Sequence, residues 1–181
     1  VSNVPGEKPS PYQLVVDLPE PICRNRMTEN ELSDLPYVNK KKLKEIFSKS
    51  ETGFPIPPKI GTKNVQLAGC VRWAGASIDT KKNIMYVSAD QSPYLVSIIN
   101  NPGWIGRYTH KWEQFVDEKN YPAVKPPWGS IVALNLNSGK IIWKIPFGEW
   151  EDLKKMNIRK TGTRNRAGIT ASRGNLIFAS G

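Results

Sequence analysis

The sequence predicts an all-β fold of antiparallel hairpins, and three stretches carry the prediction. The first runs from Trp128 to Trp143. Ser130 to Leu136 alternates around Ile131, Ala133 and the Leu134/Leu136 pair. Asn137, Ser138 and Gly139 are turn formers, since Asn and Gly tolerate φ > 0 and Ser can hydrogen-bond its own backbone. Lys140 to Ile145 is a second strand, rich in β-branched residues and ending at Pro146. The other two stretches share a layout: Arg72-Trp-Ala-Gly-Ala-Ser-Ile with Ile84-Met-Tyr-Val-Ser, and Arg166-Ala-Gly-Ile-Thr-Ala with Leu176-Ile-Phe-Ala-Ser. Each sets Ala-Gly before a strand, then a short turn, then an apolar strand ending at Ser. A repeat separated by another hairpin suits a radial array, in which each sheet buries its faces against its neighbours.

Taken in order, residues 1–27 are proline-rich and almost without periodicity, and read as an extended loop. Thr28 is a helix N-cap, with Glu31 at the third helical position. Asn39 to Lys49 reads as a helix with Leu43, Ile46 and Phe47 on one face and lysines on the other. Glu51 to Thr62, with Pro55, Pro57 and Pro58, reads as a loop. Val65 begins the sheet, Trp73 to Asp79 is a strand and Asp79 to Asn83 a turn. Ile84 to Ser88 is the returning strand, and Tyr94 to Ile99 a third. Residues 100–127 read as one long loop containing Trp104 and Trp112, of the kind that is functional or covers another surface. A basic loop follows the 130–146 hairpin from Gly148 to Asn165, and a last hairpin turns over Ser172 to Asn175.

Composition narrows the function classes. The net charge of +10 suits acidic lipid, nucleic acid or plain solubility. The basic residues are scattered and not interleaved with aromatics, which argues against nucleic-acid binding. The cysteines, Cys23 and Cys70, fit no metal spacing. They read as two separate thiols, with a disulfide open if the compartment is oxidising. The single histidine, His110, sits in a polar stretch and reads as a surface residue, so no zinc site is expected. The acyl-transfer elbow, phosphate loop and dinucleotide fingerprint are absent. No signal peptide opens the chain, and no stretch approaches the ~20 apolar residues of a membrane helix. Both ends read as cut, which suggests a piece of a longer protein.

Ala133, Asn135, Ser138, Gly139, Lys140 and Trp143 together resemble the tryptophan-docking motif of quinoprotein propellers, Ala-x-Asp-x-x-Thr-Gly-Lys/Glu-x-x-Trp. Asn135 for Asp and Ser138 for Thr are the departures. Trp73-Ala-Gly-Ala-Ser-Ile-Asp resembles the family's Trp-Gly-Gly-Ala-x-x-Asp, Lys125-Pro-Pro-Trp-Gly-Ser its Pro-Pro-Trp-Gly-Thr, and Thr161-Gly-Thr-Arg-Asn-Arg-Ala-Gly its Thr-Gly-Thr-x-Asn-x-Gly-Gly. Val4-Pro-Gly-Glu-Lys, Met27 to Leu35 and Gly53-Phe-Pro-Ile-Pro-Pro look like interblade segments of the membrane-associated glucose dehydrogenase type. The chain thus resembles part of a pyrroloquinoline-quinone-dependent dehydrogenase.

The resemblance implies a partial β-propeller, about two to three blades of an eight-bladed one, with a short helical insertion near residues 28–49. Residues 1–181 would belong to one propeller domain, with 1–64 as interblade loop and insertion and 65–181 as blade strands. It implies pyrroloquinoline quinone with calcium or magnesium in the axial channel of the full-length parent. The substrate would be a glucose-like aldose or an alcohol, and the electron acceptor a membrane quinone or a cytochrome. The location would be periplasmic, with inner-membrane anchoring through parts outside this chain. The base and the metal ligands would lie upstream of Val1, so no catalytic or metal residue is assigned here; Asp79 and Asp90 fit turn and strand-end positions better. Cofactor contact falls to Arg72, Trp73 and Arg166. Arg72 stands where relatives often carry Asn, and Arg166 where they carry a hydrophobic or aromatic residue. Trp143 is expected buried between two sheets. A non-catalytic propeller that scaffolds protein partners is the rival, because the docking motif occurs in such proteins too.

Overall fold

The structure, a computed structural model, describes the chain apart from Val1, Ser2, Pro9, Pro11, Gln13, Val15, Phe54, Pro55 and Gly181, and apart from the side chains of Arg72 and Trp73. The strands are β1 (Glu51–Thr52), β2 (Asn64–Asp79), β3 (Ile84–Asn100), β4 (Tyr108–Gln114), β5 (Gly129–Asn135), β6 (Ile141–Pro146), β7 (Ile169–Ala171) and β8 (Ile177–Ala179). The helices are α1 (Lys40–Ser48) and α2 (Glu151–Lys155). Hydrogen bonding orders the main sheet β1-β2-β3-β5-β6, with β4 also on β3, and β7 and β8 form a separate pair. The chain divides into two compact units.

The first unit holds residues 1–15, 25–68 and 92–125. Its entry turn follows the sequence: Glu31 accepts the Thr28 amide at 2.7 Å and its hydroxyl at 3.0 Å, closing one tight 3₁₀ turn over Glu29–Glu31. Asn39 caps α1 by accepting the Lys42 amide at 3.1 Å, and α1 buries Leu43 and Phe47. The Glu51–Thr62 stretch is not all loop, because β1 pairs in parallel with Asn64 and Val65. The predicted 100–127 loop is also corrected. Tyr108 to Gln114 forms β4, paired antiparallel with Tyr94 to Asn100. Three of its residues are aromatic or Thr at a strand edge, and such residues favour the pleated backbone despite a polar composition. The core gathers Met27, Leu32, Leu35, Val65, Leu95, Val96, Phe115 and Val124.

Within this unit Asp117 is 5% exposed and accepts the amides of Lys119 at 2.8 Å and Tyr121 at 3.0 Å. Burial holds its carboxyl above the usual carboxylate range, and the two amides pull only part of the way back. A folded-state value raised above the unfolded one means that the native state holds the extra proton. The associated stability is full below about pH 4, the ordinary Asp value, and is lost as pH rises from there through the raised value. Asp117→Asn keeps the oxygen that accepts both amides and removes the titration. Denaturant melts at stepped pH should therefore show a flatter curve above about pH 4, with no loss of stability at neutral pH. A variant with the wild-type slope would contradict this.

The second unit holds residues 16–24, 69–91 and 126–181. Ile84 to Asp90 of β3 pairs antiparallel with Asn135 to Gly129 of β5, and β5 with β6. The two strands expected at 84–88 and 94–99 are one. Pro93, which has no amide to donate, falls between Asp90, the last partner of β5, and Tyr94, the first partner of β4. The 148–165 stretch, expected as loop, contains α2. Its acids lie in the first turn, its lysines in the last, and Leu153 is buried. The last hairpin, β7 to β8, is as expected. Cys23 and Cys70 are joined in a disulfide, with Cα atoms 5.7 Å apart, which corrects the reading of two thiols. A spacing of 47 residues carries no signal of proximity; the fold supplies it.

Candidate functional site

The site is built outward from the 128–146 hairpin. Ala133 pairs with Trp143 on one side and Tyr86 on the other. The small side chain leaves room above it, and the two rings meet there with centroids 6.0 Å apart. Trp143 is half-buried under its own sheet's Tyr86, not buried between two sheets as expected. Asn135 does the work of the motif's Asp, since its Oδ1 accepts the amides of Asn137 at 2.9 Å and Ser138 at 3.0 Å. Gly139 takes φ +68°, where a side chain would be strained.

The Pro-Pro-Trp-Gly-Ser and Thr-Gly-Thr motifs meet backbone to backbone. Trp128 donates its amide to Thr161 at 2.7 Å, Phe147 to Gly129 at 3.0 Å, and Thr163 to Phe147 at 2.8 Å. A Cβ on Gly129 would overlap the Thr163 backbone, and one on Gly162 the Gly129 backbone. Both glycines are therefore required by close approach. The Trp128 ring is 2% exposed and meets Trp150 edge-on at 6.4 Å.

A buried polar group follows from this contact. Asp90 is not at a strand end, as read from the sequence, but inside β3 opposite Gly129, with its side chain fully buried. Arg164 Nε lies 3.7 Å from its Oδ2, so the buried charge has a cationic partner. Next to Arg164, Asn165 is 1% exposed. Its Oδ1 accepts the Ala167 amide at 2.8 Å, while its Nδ2 is buried with no acceptor among the described residues. The sequence reading put Asp90 at a strand end and gave Asn165 no role beyond its place in the Thr-Gly-Thr-x-Asn motif. The available signal was an Asp between two apolar stretches, Ile84 to Val87 and Tyr94 to Val96, of one strand. Asp79, by contrast, ends β2 and holds the following turn, accepting the Lys81 and Lys82 amides.

The two Ala-Gly repeats are brought together. A Cβ on Gly168 would lie 3.2 Å from the Ala74 carbonyl, and Ala171 donates its amide to Ser77 Oγ at 2.9 Å. Arg72 and Arg166, each two residues before a member of the Ala74–Gly168 contact, therefore start from neighbouring segments. Arg166 is exposed. The side chains of Arg72 and Trp73 lie outside the described residues, as do Phe54 and Pro55 of the predicted interblade motif. Among the described residues no cluster of three or more His, Cys, Asp or Glu side chains could hold a metal ion.

The Trp128–Thr161 and Ala74–Gly168 contacts join motifs quoted for one family, and the model of the PQQ glucose/ethanol/alcohol dehydrogenase β-propeller domain matches residues 1–181. The chain belongs to this family. No curated protein matches it. The match identifies the sheets as part of a PQQ β-propeller domain with a short helical insertion. The family implies pyrroloquinoline quinone as cofactor. The donor set suits such a polyanion: Arg166 is exposed, and Asn165 Nδ2 is a buried donor in want of an acceptor.

Proposed function

We propose that this chain forms part of the cofactor channel of a quinoprotein dehydrogenase that oxidises a glucose-like aldose or an alcohol. The observation that carries the reading is the contact of the two Ala-Gly repeats, with Asn165 holding the Ala167 amide of the second repeat on Oδ1 while its buried Nδ2 lacks an acceptor among the described residues. Pyrroloquinoline quinone, when bound, supplies the electron acceptor. Arg72 and Arg166 provide fixed positive charge for its carboxylates, and Trp73 lines the channel. The substrate base and the ligands of a calcium or magnesium ion come from parts of the parent outside these 181 residues. Electrons pass on to a membrane quinone or a cytochrome. The Cys23–Cys70 disulfide supports an oxidising compartment, the periplasm, with anchoring through other parts of the parent.

The test is reconstitution of the parent with pyrroloquinoline quinone and calcium or magnesium. It should oxidise an aldose or alcohol with an artificial acceptor, and Arg166→Ala should weaken cofactor binding up to about fivefold, as an exposed ion pair is worth ~0–1 kcal/mol. No turnover across a broad sugar and alcohol panel, with no retained cofactor absorbance, would defeat the reading. The isolated chain should be inactive. Two such contacts fall far short of the ~8 kcal/mol that micromolar affinity needs, so calorimetry should show no saturable micromolar binding.

A further inference from the structure

The hairpin formed by β3 and β4 ends in residues that the cofactor reading does not use. Asn101 donates its amide to Arg107 at 2.7 Å, Trp104 to Asn101 at 3.0 Å, and Arg107 to Trp104 at 2.9 Å. This closed turn fixes Trp104 and Ile105 at the apex, where they are 60% and 103% exposed. Ile99 and Trp112, on the flanking strands, are 40% and 46% exposed. Trp112 is held edge-on against Tyr94 at 5.5 Å and His110 at 5.7 Å. A rigid turn that presents a Trp and an Ile to solvent exposes apolar area which insertion into an apolar medium would recover.

Along the chain, the charges flanking the apex are positive. No acidic residue occurs between Ser97 and Trp112, while Arg107 and Lys111 do. The next residue, Glu113, is shared by Lys63 at 2.7 Å and Lys111 at 3.2 Å, and Glu7 lines a cavity with Gly106 and Tyr108, so three cations stand against two carboxylates. Those two lysines hold the Glu113 carboxyl below its usual range.

We propose that the 101–107 turn inserts Trp104 and Ile105 into the interfacial layer of an anionic lipid bilayer, with Arg107 and Lys111 at the headgroups. Trp is the side chain that settles at a membrane–water interface, and nearby cations are drawn to anionic lipid. A neutral apolar groove on a protein would accommodate the Ile but would not account for the excess of cations beside it. Vesicle binding needs no cofactor, so this proposal and the cofactor reading fail separately.

The experiment is flotation of the full 181-residue chain with phosphatidylcholine vesicles, with and without phosphatidylglycerol, alongside tryptophan emission. Binding should require phosphatidylglycerol, shift the emission to the blue, and weaken with salt. Trp104→Ser with Ile105→Ser, at solvent-facing positions and with circular dichroism unchanged, should lower partitioning about tenfold or more. Arg107→Gln with Lys111→Gln should lower it about fivefold per charge removed. Equal partitioning of the tip variant and wild type, or equal binding to both vesicle types, would overturn the proposal. Self-association abolished by the tip variant, without vesicle binding, would overturn it too and identify a second copy as the occupant.

Discussion

With both cysteines replaced, Cys23→Ser and Cys70→Ser, the chain is expected to melt about 10 °C lower than the wild type. The physical basis is the strap of residues 16–24. Glu20 donates its amide to the Gly139 carbonyl at 2.7 Å and accepts the Ile141 amide on its carboxylate at 2.9 Å. Lys144 Nζ donates to the Ile22 carbonyl at 2.7 Å, and Gln91 Nε2 to the Arg24 carbonyl at 2.9 Å. Each of these bonds is worth about 1 kcal/mol net, and none limits the unfolded chain. The disulfide does, since it closes a loop across 47 residues. Loop-closure entropy for that length gives about 4 kcal/mol, larger than any single bond in the strap. At roughly 2–4 °C per kcal/mol for a chain of this size, the shift follows. Thermal melts of oxidised, reduced and double-Ser protein check it, with tryptic cleavage after Arg24 as a local readout. If the double-Ser variant melts within about 2 °C of wild type, the strap is held by its hydrogen bonds and the crosslink is idle.

What the sequence disclosed depends on how local the physics is. Asn135, Ser138, Gly139 and Trp143 act on one another within a single hairpin, so turn composition and the resemblance to the docking motif located them, and the structure gives each its partner. The same holds for Thr28 with Glu31 and for the apolar face of α1. Strand β4 escaped because Tyr108 to Gln114 is polar and lies at an edge; its partner, Tyr94 to Asn100, is close in sequence across the 101–107 turn, but no apolar alternation marks the second strand of that hairpin. Helix α2 was legible after all. Glu151 and Asp152 before Leu153, with Lys154 and Lys155 after it, form a charge order complementary to a helix dipole. The candidate site divides in the same way. Arg166 could be picked from its motif, but the Asp90–Arg164 pair joins residues 74 positions apart and needed the fold. The buried Asn165 Nδ2 could not be inferred from residue type at all, because Asn is ordinarily a surface or turn residue.

Gly129→Ala is expected to be at least as damaging as loss of the disulfide, although it adds one methyl group. Gly129 has no positive φ to relieve, so backbone strain plays no part. The added carbon would overlap the backbone of Thr163, and a backbone cannot rotate aside as a side chain can. The Thr163 segment is itself tied down by the Thr163 amide on Phe147 and the Trp128 amide on Thr161. Separating the two motifs would break these bonds and open space beside Trp128, the largest fully buried side chain among the described residues. Overpacking of this kind costs about 3 kcal/mol or more, a loss of about 10 °C in melting temperature. Gly61→Ala is the informative control. Gly61 takes φ +77° with nothing within 4 Å of its added Cβ, so only left-handed strain of about 1–2 kcal/mol remains. Thermal melts of the two variants separate the effects, and Trp128 fluorescence should move to the red only in Gly129→Ala. Equal destabilisation would mean that the contact between Trp128-Gly129 and Thr161-Gly162-Thr163 yields easily. The packing that sets Arg164 beside Asp90, and with it the adjacent Asn165, would then not be the rigid support on which the cofactor reading depends.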